Sequence, residues 1–168
     1  MSRAFVREPD GDEVQDDLPP KPQSEHPNYV TPGGLTALQA MRDRLQTEKA
    51  ALEAHKDDME SKQALPHVQR DLRWVLERIE RAILIDLSSQ PSERVGFGAE
   101  VEVIDEDDKR RSYRIVGEDE ADAANGLVSW VSPLARALNG ATVGDVVIWK
   151  RPAGDMELEI AAIRFPDK

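Results

Sequence analysis

From residue 29 the apolar positions fall at helical spacing. Leu35, Leu38, Met41, Leu45 and Leu52 recur at about 3.5 residues and line one stripe. A second run, Val68, Leu72, Val75, Leu76, Ile79 and Ile83, lines another. Thr31 is suited to cap the first helix and Pro32 to open it, because the first helical residue has no partner for an N–H. Pro66 suits a second start near residue 65 by the same reasoning. Neither stripe can be buried by its own helix. The economical arrangement is an antiparallel hairpin in which each stripe packs on the other as a two-stranded coiled coil. Its turn falls near residues 56–64, and Trp74 reads as a packing residue.

The period changes to two after residue 91. In VGFGAEVEVID, Val95, Phe97, Ala99, Val101 and Val103 share one face, and Glu100 and Glu102 share the other. EDDK reads as a charged turn. RSYRIV, LVSWVS, DVVIWKR and MELEIAAIRF supply further strands, and PLARALNG one short helix ended by Asn139-Gly140. The chain thus divides into a tail (1–28), a helical hairpin (29–90) and a small, mostly antiparallel β domain with one short helix (91–168). The fold class is α+β.

Composition narrows what such a molecule can do. Its 168 residues carry a formal net charge of −11, which argues against direct, non-specific binding to a phosphate backbone and offers no support for sequence-specific DNA binding. The tail is rich in Asp, Glu and Pro and too poor in apolar groups to offset the entropy of ordering itself, so a disordered acidic leader is expected. There is no cysteine, which removes disulfides, thiol catalysis and Cys-based zinc sites and suits a reducing compartment. No apolar run has membrane-spanning length and the first residues lack a signal-peptide core; a cytoplasmic protein is expected.

Catalytic constellations are missing. His26, His55 and His67 lie in the tail and around the turn without an i, i+4 pair, so no metal site is expected within this chain alone. VGFGAEV lacks the GxGxxG spacing, there is no GxSxG elbow, and Ser132 has no nearby histidine in its domain. Two acidic concentrations remain. GEDEAD (117–122) reads as a solvated loop. HKDDMESKQ (55–63) gathers Asp57, Asp58 and Glu60 at the hairpin turn, either as ordinary loop residues or as a charged tip offered to a partner's metal.

RVGFGAEVEVID, SYRIVGEDEADAANGLVSWVSPLARALNGATVGDVV and LEIAAIRF resemble the C-terminal domain of the bacterial Gre transcript-cleavage factors (GreA/GreB-like), over nearly all of residues 94–164. YVTPGGLTAL also resembles the start of the Gre hairpin. The resemblance implies an FKBP-like C-terminal domain that docks on the β′ coiled coil at the rim of RNA polymerase's secondary channel. It implies a hairpin that enters the channel, and two tip acids in D-x-x-E spacing that help hold a second Mg²⁺ at the polymerase active site. On that model the chain is no enzyme and has no cofactor of its own. Asp57 and Glu60 are the candidate tip acids, with Asp58 beside them, and Ser132, Pro133 and Arg136 of SPLAR are the candidate docking contacts.

The tip departs from the family. Cleavage-active members carry a turn resembling G-D-x-x-E-N-A-[DE]-Y; this chain keeps Asp57 and Glu60 at the right spacing but lacks the glycine, the Asn-Ala pair and the aromatic residue. Its hairpin reads shorter by three to four residues per arm, a withdrawal of about 5 Å at about 1.5 Å per residue. Direct Mg²⁺ ligation needs an oxygen within about 2.0–2.1 Å. A non-cleaving channel occupant that inhibits or modulates polymerase is therefore the alternative to a cleavage stimulator. Two remoter alternatives are an FKBP-type peptidyl-prolyl isomerase, suggested by fold alone, and a homodimeric adaptor whose stripes pair between chains. A monomer is expected if they pair within one.

Overall fold

A computed structural model describes residues 18–167. Two helices of nearly equal length, α1 (Pro32–Ala54) and α2 (Met59–Glu80), form the expected antiparallel hairpin. Leu38 and Leu45 of α1 are buried against Val68, Leu72 and Val75 of α2, with Leu35, Met41, Leu52 and Ile79 half-buried around them. Thr31 caps α1, its hydroxyl accepting from the Gly34 amide at 3.1 Å. At about 1.5 Å per residue the 23 residues of α1 span roughly 35 Å.

The second helix begins earlier than Pro66 suggested. Asp58 is its extended N-cap residue, and the Lys62 amide already bonds the Asp58 carbonyl at 3.0 Å. Pro66 therefore lies inside α2, and the link between the helices shrinks to residues 55–58. A proline there removes one backbone hydrogen bond, the one that would reach the Lys62 carbonyl. Burial of Ser61 and Val68 on either side of it holds the helix through that gap. The upper stripe also ends sooner. Leu76 is exposed, and Ile83 belongs to a strand.

That strand, β2 (Ala82–Leu84), pairs in parallel with β1 (Asn28–Val30), so the chain is stitched together where it enters and leaves the hairpin. Neither three-residue strand shows in the apolar pattern of the sequence. The disordered leader expected up to residue 28 does not describe residues 18–27, which run across the hairpin base. The Trp74 indole donates to the Pro22 carbonyl, Gln23 donates to the Trp74 carbonyl, and the Lys21 ammonium lies 4.5 Å from the centre of the Trp74 ring. Trp74 thus packs as expected, with this segment as its partner. The rest of the expected leader, 1–17, lies outside the described residues.

The remaining strands form one sheet in the order β5-β4-β3-β7-β6: β3 (Glu100–Ile104), β4 (Arg110–Val116), β5 (Leu127–Ser129), β6 (Val146–Trp149) and β7 (Met156–Arg164). All pairs are antiparallel except β4 with β5. The period-two residues Val95, Ala99, Val101 and Val103 are all buried, although β3 starts only at Glu100. They pack with Ile115, Leu158 and Ile160 under the short helix α3 (Pro133–Leu138), which contributes Leu134, Ala135 and Leu138 to the core. The architecture is α+β.

Candidate functional site: an acidic tip, a docking helix and the joint between them

The tip is built by helix ends. The Asp58 amide bonds the His55 carbonyl at 2.9 Å and closes the turn. Asp57 lies in that turn, Asp58 at the N-cap of α2 and Glu60 in its first helical turn. All three are exposed. Asp58 makes no capping hydrogen bond with its side chain, so its carboxylate is not consumed by the helix it starts. A helix N-terminus also favours anionic neighbours. The three acids occupy three successive structural positions along the chain. Among the described residues no group of three or more His, Asp or Glu side chains converges to hold a metal ion.

The candidate docking residues lie at the other end of the molecule. Ser132 is the N-cap of α3, its hydroxyl accepting from the Ala135 amide at 3.2 Å. Pro133 opens the helix, and Pro133 and Arg136 are both exposed. The hydroxyl oxygen thus accepts the capping bond, while Pro133 and Arg136 face outward and Leu134 and Ala135 between them are buried in the core. Beside them is a cavity of about 290 Å³ lined by Tyr29, Phe97, Ile115, Trp130, Ala135, Arg136 and Asn139. The Tyr29 ring sits 4.9 Å from Trp130 and 6.1 Å from Phe97, centre to centre, which gives the cavity an aromatic wall. Sequence reasoning found α3 and missed this wall, because Tyr29 comes from the hairpin entrance.

Between the two ends lies a polar joint. Arg78 of α2 is 1% exposed, an unusual position for a charged side chain. Its Nε donates to Asp119 at 2.8 Å, one Nη donates to the Asn28 side chain at 2.6 Å, and the same Nη stands 4.0 Å from Glu118. The Asn28 amide in turn donates to the Arg78 carbonyl at 2.7 Å. Glu120 reaches the hairpin entrance from the other side. It accepts from the Thr31 hydroxyl, from the Thr31 amide at 3.3 Å and from the Gly117 amide at 3.1 Å. Glu118 accepts from the Ser24 hydroxyl at 3.0 Å. The run GEDEAD is thus no solvated loop. Its three central acids bind the hairpin base, and Gly117 is pressed so close to the Tyr29 carbonyl that any side chain there would overlap it. The signal that could have found the joint is the lone Arg78 on the otherwise apolar stripe of α2.

Residues 90–165 match the family model described as "Transcription elongation factor, GreA/GreB, C-term". The chain is 31% identical over 157 residues to the transcription elongation factor GreB of Neisseria meningitidis serogroup B, covering 84% of this chain and 96% of the relative. It is 36% identical over 151 residues to GreA of Sinorhizobium medicae, covering 81% of this chain and 96% of the relative. Among solved structures, GreA factor homolog 1 of Thermus thermophilus overlaps 83% of this chain and 99% of its own at 26% identity, with a TM-score of 0.40.

Proposed function

Because the chain belongs to the GreA/GreB family of transcription elongation factors, we propose that it is an accessory factor of RNA polymerase. It docks through α3 and the adjoining aromatic-walled cavity on the β′ coiled coil at the rim of the secondary channel. It sends the hairpin into the channel and has no reaction centre of its own. The observation that carries this reading is the separation of roles along one arm: exposed carboxylates at one end, an exposed helix surface beyond the other, and between them a packed helix pair of roughly 35 Å.

Chemically, the tip offers what a hard cation takes. Carboxylate oxygens are the donors that Mg²⁺ accepts, and a site shared between two proteins needs no cage in either. Asp57 and Glu60, with Asp58 between them, supply negative charge near a Mg²⁺ of the polymerase. The metal's contribution when bound is to make a water nucleophilic towards the phosphodiester of backtracked RNA. The chain's own contribution is delivery and orientation of the acids.

A second reading, a channel occupant that slows the polymerase without promoting cleavage, has its own support. The tip acids are spread over turn, cap and first helical turn instead of being gathered, and the linking turn is only residues 55–58. The test is direct. Core polymerase should bind the protein saturably, and Pro133→Glu should weaken binding at least tenfold, about 1.4 kcal/mol. Absence of binding at micromolar concentration overturns the proposal. On a stalled, backtracked complex with Mg²⁺, RNA shortening that disappears with Asp57→Ala/Glu60→Ala selects the cleaving reading. Intact RNA with slower nucleotide addition selects the other.

A further inference from the structure

We infer that Arg78 is a positioning residue: through Asn28, Asp119 and Glu118 it sets the direction in which the hairpin points relative to the docking domain. This deepens the function proposed above and rests on it, since aim matters only if one end docks and the other acts.

The apolar seam of α1 and α2 fixes the two helices to each other, and the core of the sheet is a separate cluster. Among the described residues no buried apolar residue belongs to both clusters. The orientation between them therefore falls to polar and aromatic contacts at the base, and apolar packing alone would be permissive because it has no preferred direction. Directional hydrogen bonds supply what packing does not.

Arg78 is built for that task. It comes from the last turn of α2, so a small rotation at its guanidinium becomes a large displacement at the far end of the arm. Its planar fork engages two elements at once: Asn28 on the strand entering the hairpin and Asp119 on the loop that follows β4. Asp119 and Glu118 each leave about a fifth of the side chain exposed, whereas Arg78 leaves 1%. The cation is held within the hairpin and the acids reach in from the sheet domain. Glu120 adds a second, independent tie to Thr31. Residues 18–27 add a third. Ser24 bonds Glu118 through its hydroxyl and Arg81 through its carbonyl, and the His26 ring meets Trp130 edge-on at 5.8 Å. All three ties converge on the same small loop, 118–120, or the Trp130 wall beside it.

The absence of cysteine allows a clean measurement of aim. Nitroxide labels on Lys56→Cys, in the turn, and Lys150→Cys, after β6, report the angle between arm and sheet by double electron–electron resonance on the full chain. With Arg78 intact a single narrow distance distribution is expected. Arg78→Met, which preserves length and removes the fork, should broaden it to more than about twice that width as the joint samples alternatives. Asp119→Ala/Glu120→Ala should do the same while leaving the hairpin seam untouched, and keeps the test valid if Arg78→Met fails to fold. Arg78→Lys keeps the charge without the fork and should recover only part of the narrowing. With polymerase, these variants should bind within about threefold of the parent yet lose about tenfold or more of its maximal effect on elongation or cleavage, as misplaced groups do.

Unchanged distance distributions in both Arg78→Met and the Asp119/Glu120 variant overturn the inference. So does a loss of effect that merely tracks loss of affinity. If the parent protein itself does not bind polymerase, the proposed function fails while the distances still decide whether Arg78 sets the aim.

Discussion

Two adjacent glycines near the start of α1 show how much of the joint depends on single atoms. A methyl group on Gly33 would meet nothing closer than the Thr31 hydroxyl at 3.8 Å, whereas one on Gly34 would overlap the Glu120 carboxyl group. Helix propensity alone favours alanine at both. We expect Gly33→Ala to raise stability by about 0.5 kcal/mol and Gly34→Ala to lower it, because the carboxylate must leave its bonds to Thr31. Urea denaturation of the pair checks the opposite signs. At this scale the sequence was only partly readable. Thr31, Pro32 and Asn139-Gly140 announced their helix ends because capping is a local interaction. Glu118, Asp119 and Glu120 could not announce their partners, which lie about forty to ninety residues away along the chain. A run of acids reads as solvent-facing until a buried cation is known to stand opposite.

Among the elements, the hairpin followed from its period and its limits did not. The stripe predicted for α2 included Leu72 and Leu76 on equal terms, yet Leu72 is 8% exposed and Leu76 42%. Residues four apart drift round a helix, and contact with a finite partner decides which of them is covered. Leu72→Ala should therefore destabilise by about 2–4 kcal/mol through transfer and cavity terms, and Leu76→Ala by less than about 0.5 kcal/mol. Thermal melts of the two variants separate the cases. Pro66 misled for a related reason. Proline at a helix start is a preference, and here packing on α1 carries the helix past it at the loss of one backbone bond. The strands of the sheet were legible through period two because one face is buried and the other wet. β1 and β2 were hidden, since three residues are too few to show a period.

For the whole molecule, the decisive fact is that the two stripes bury each other within one chain. With the hairpin stripes already buried against each other, we expect the protein to sediment as a single species of 18.8 kDa at micromolar concentration. A concentration-dependent shift towards twice that mass would favour the homodimeric adaptor instead. The chain belongs to the GreA/GreB family, and the choice proposed above between stimulator and inhibitor turns on the tip, residues 55–63. The family-like segments carry the proposed docking surface; the turn carries the question of what the protein does once there.

The parallel ribbon of β1 and β2 has a mechanical corollary. It pins the two legs of the arm at the hilt through Asn28–Ala82, Tyr29–Ile83 and Val30–Leu84, so a load pressing on the far end meets these rungs in shear and cannot prise the legs apart from below. Thermal fraying must then travel downward from the turn. The carboxylates sit at the end of the spear farthest from that grip, exposed to whatever surface the point meets.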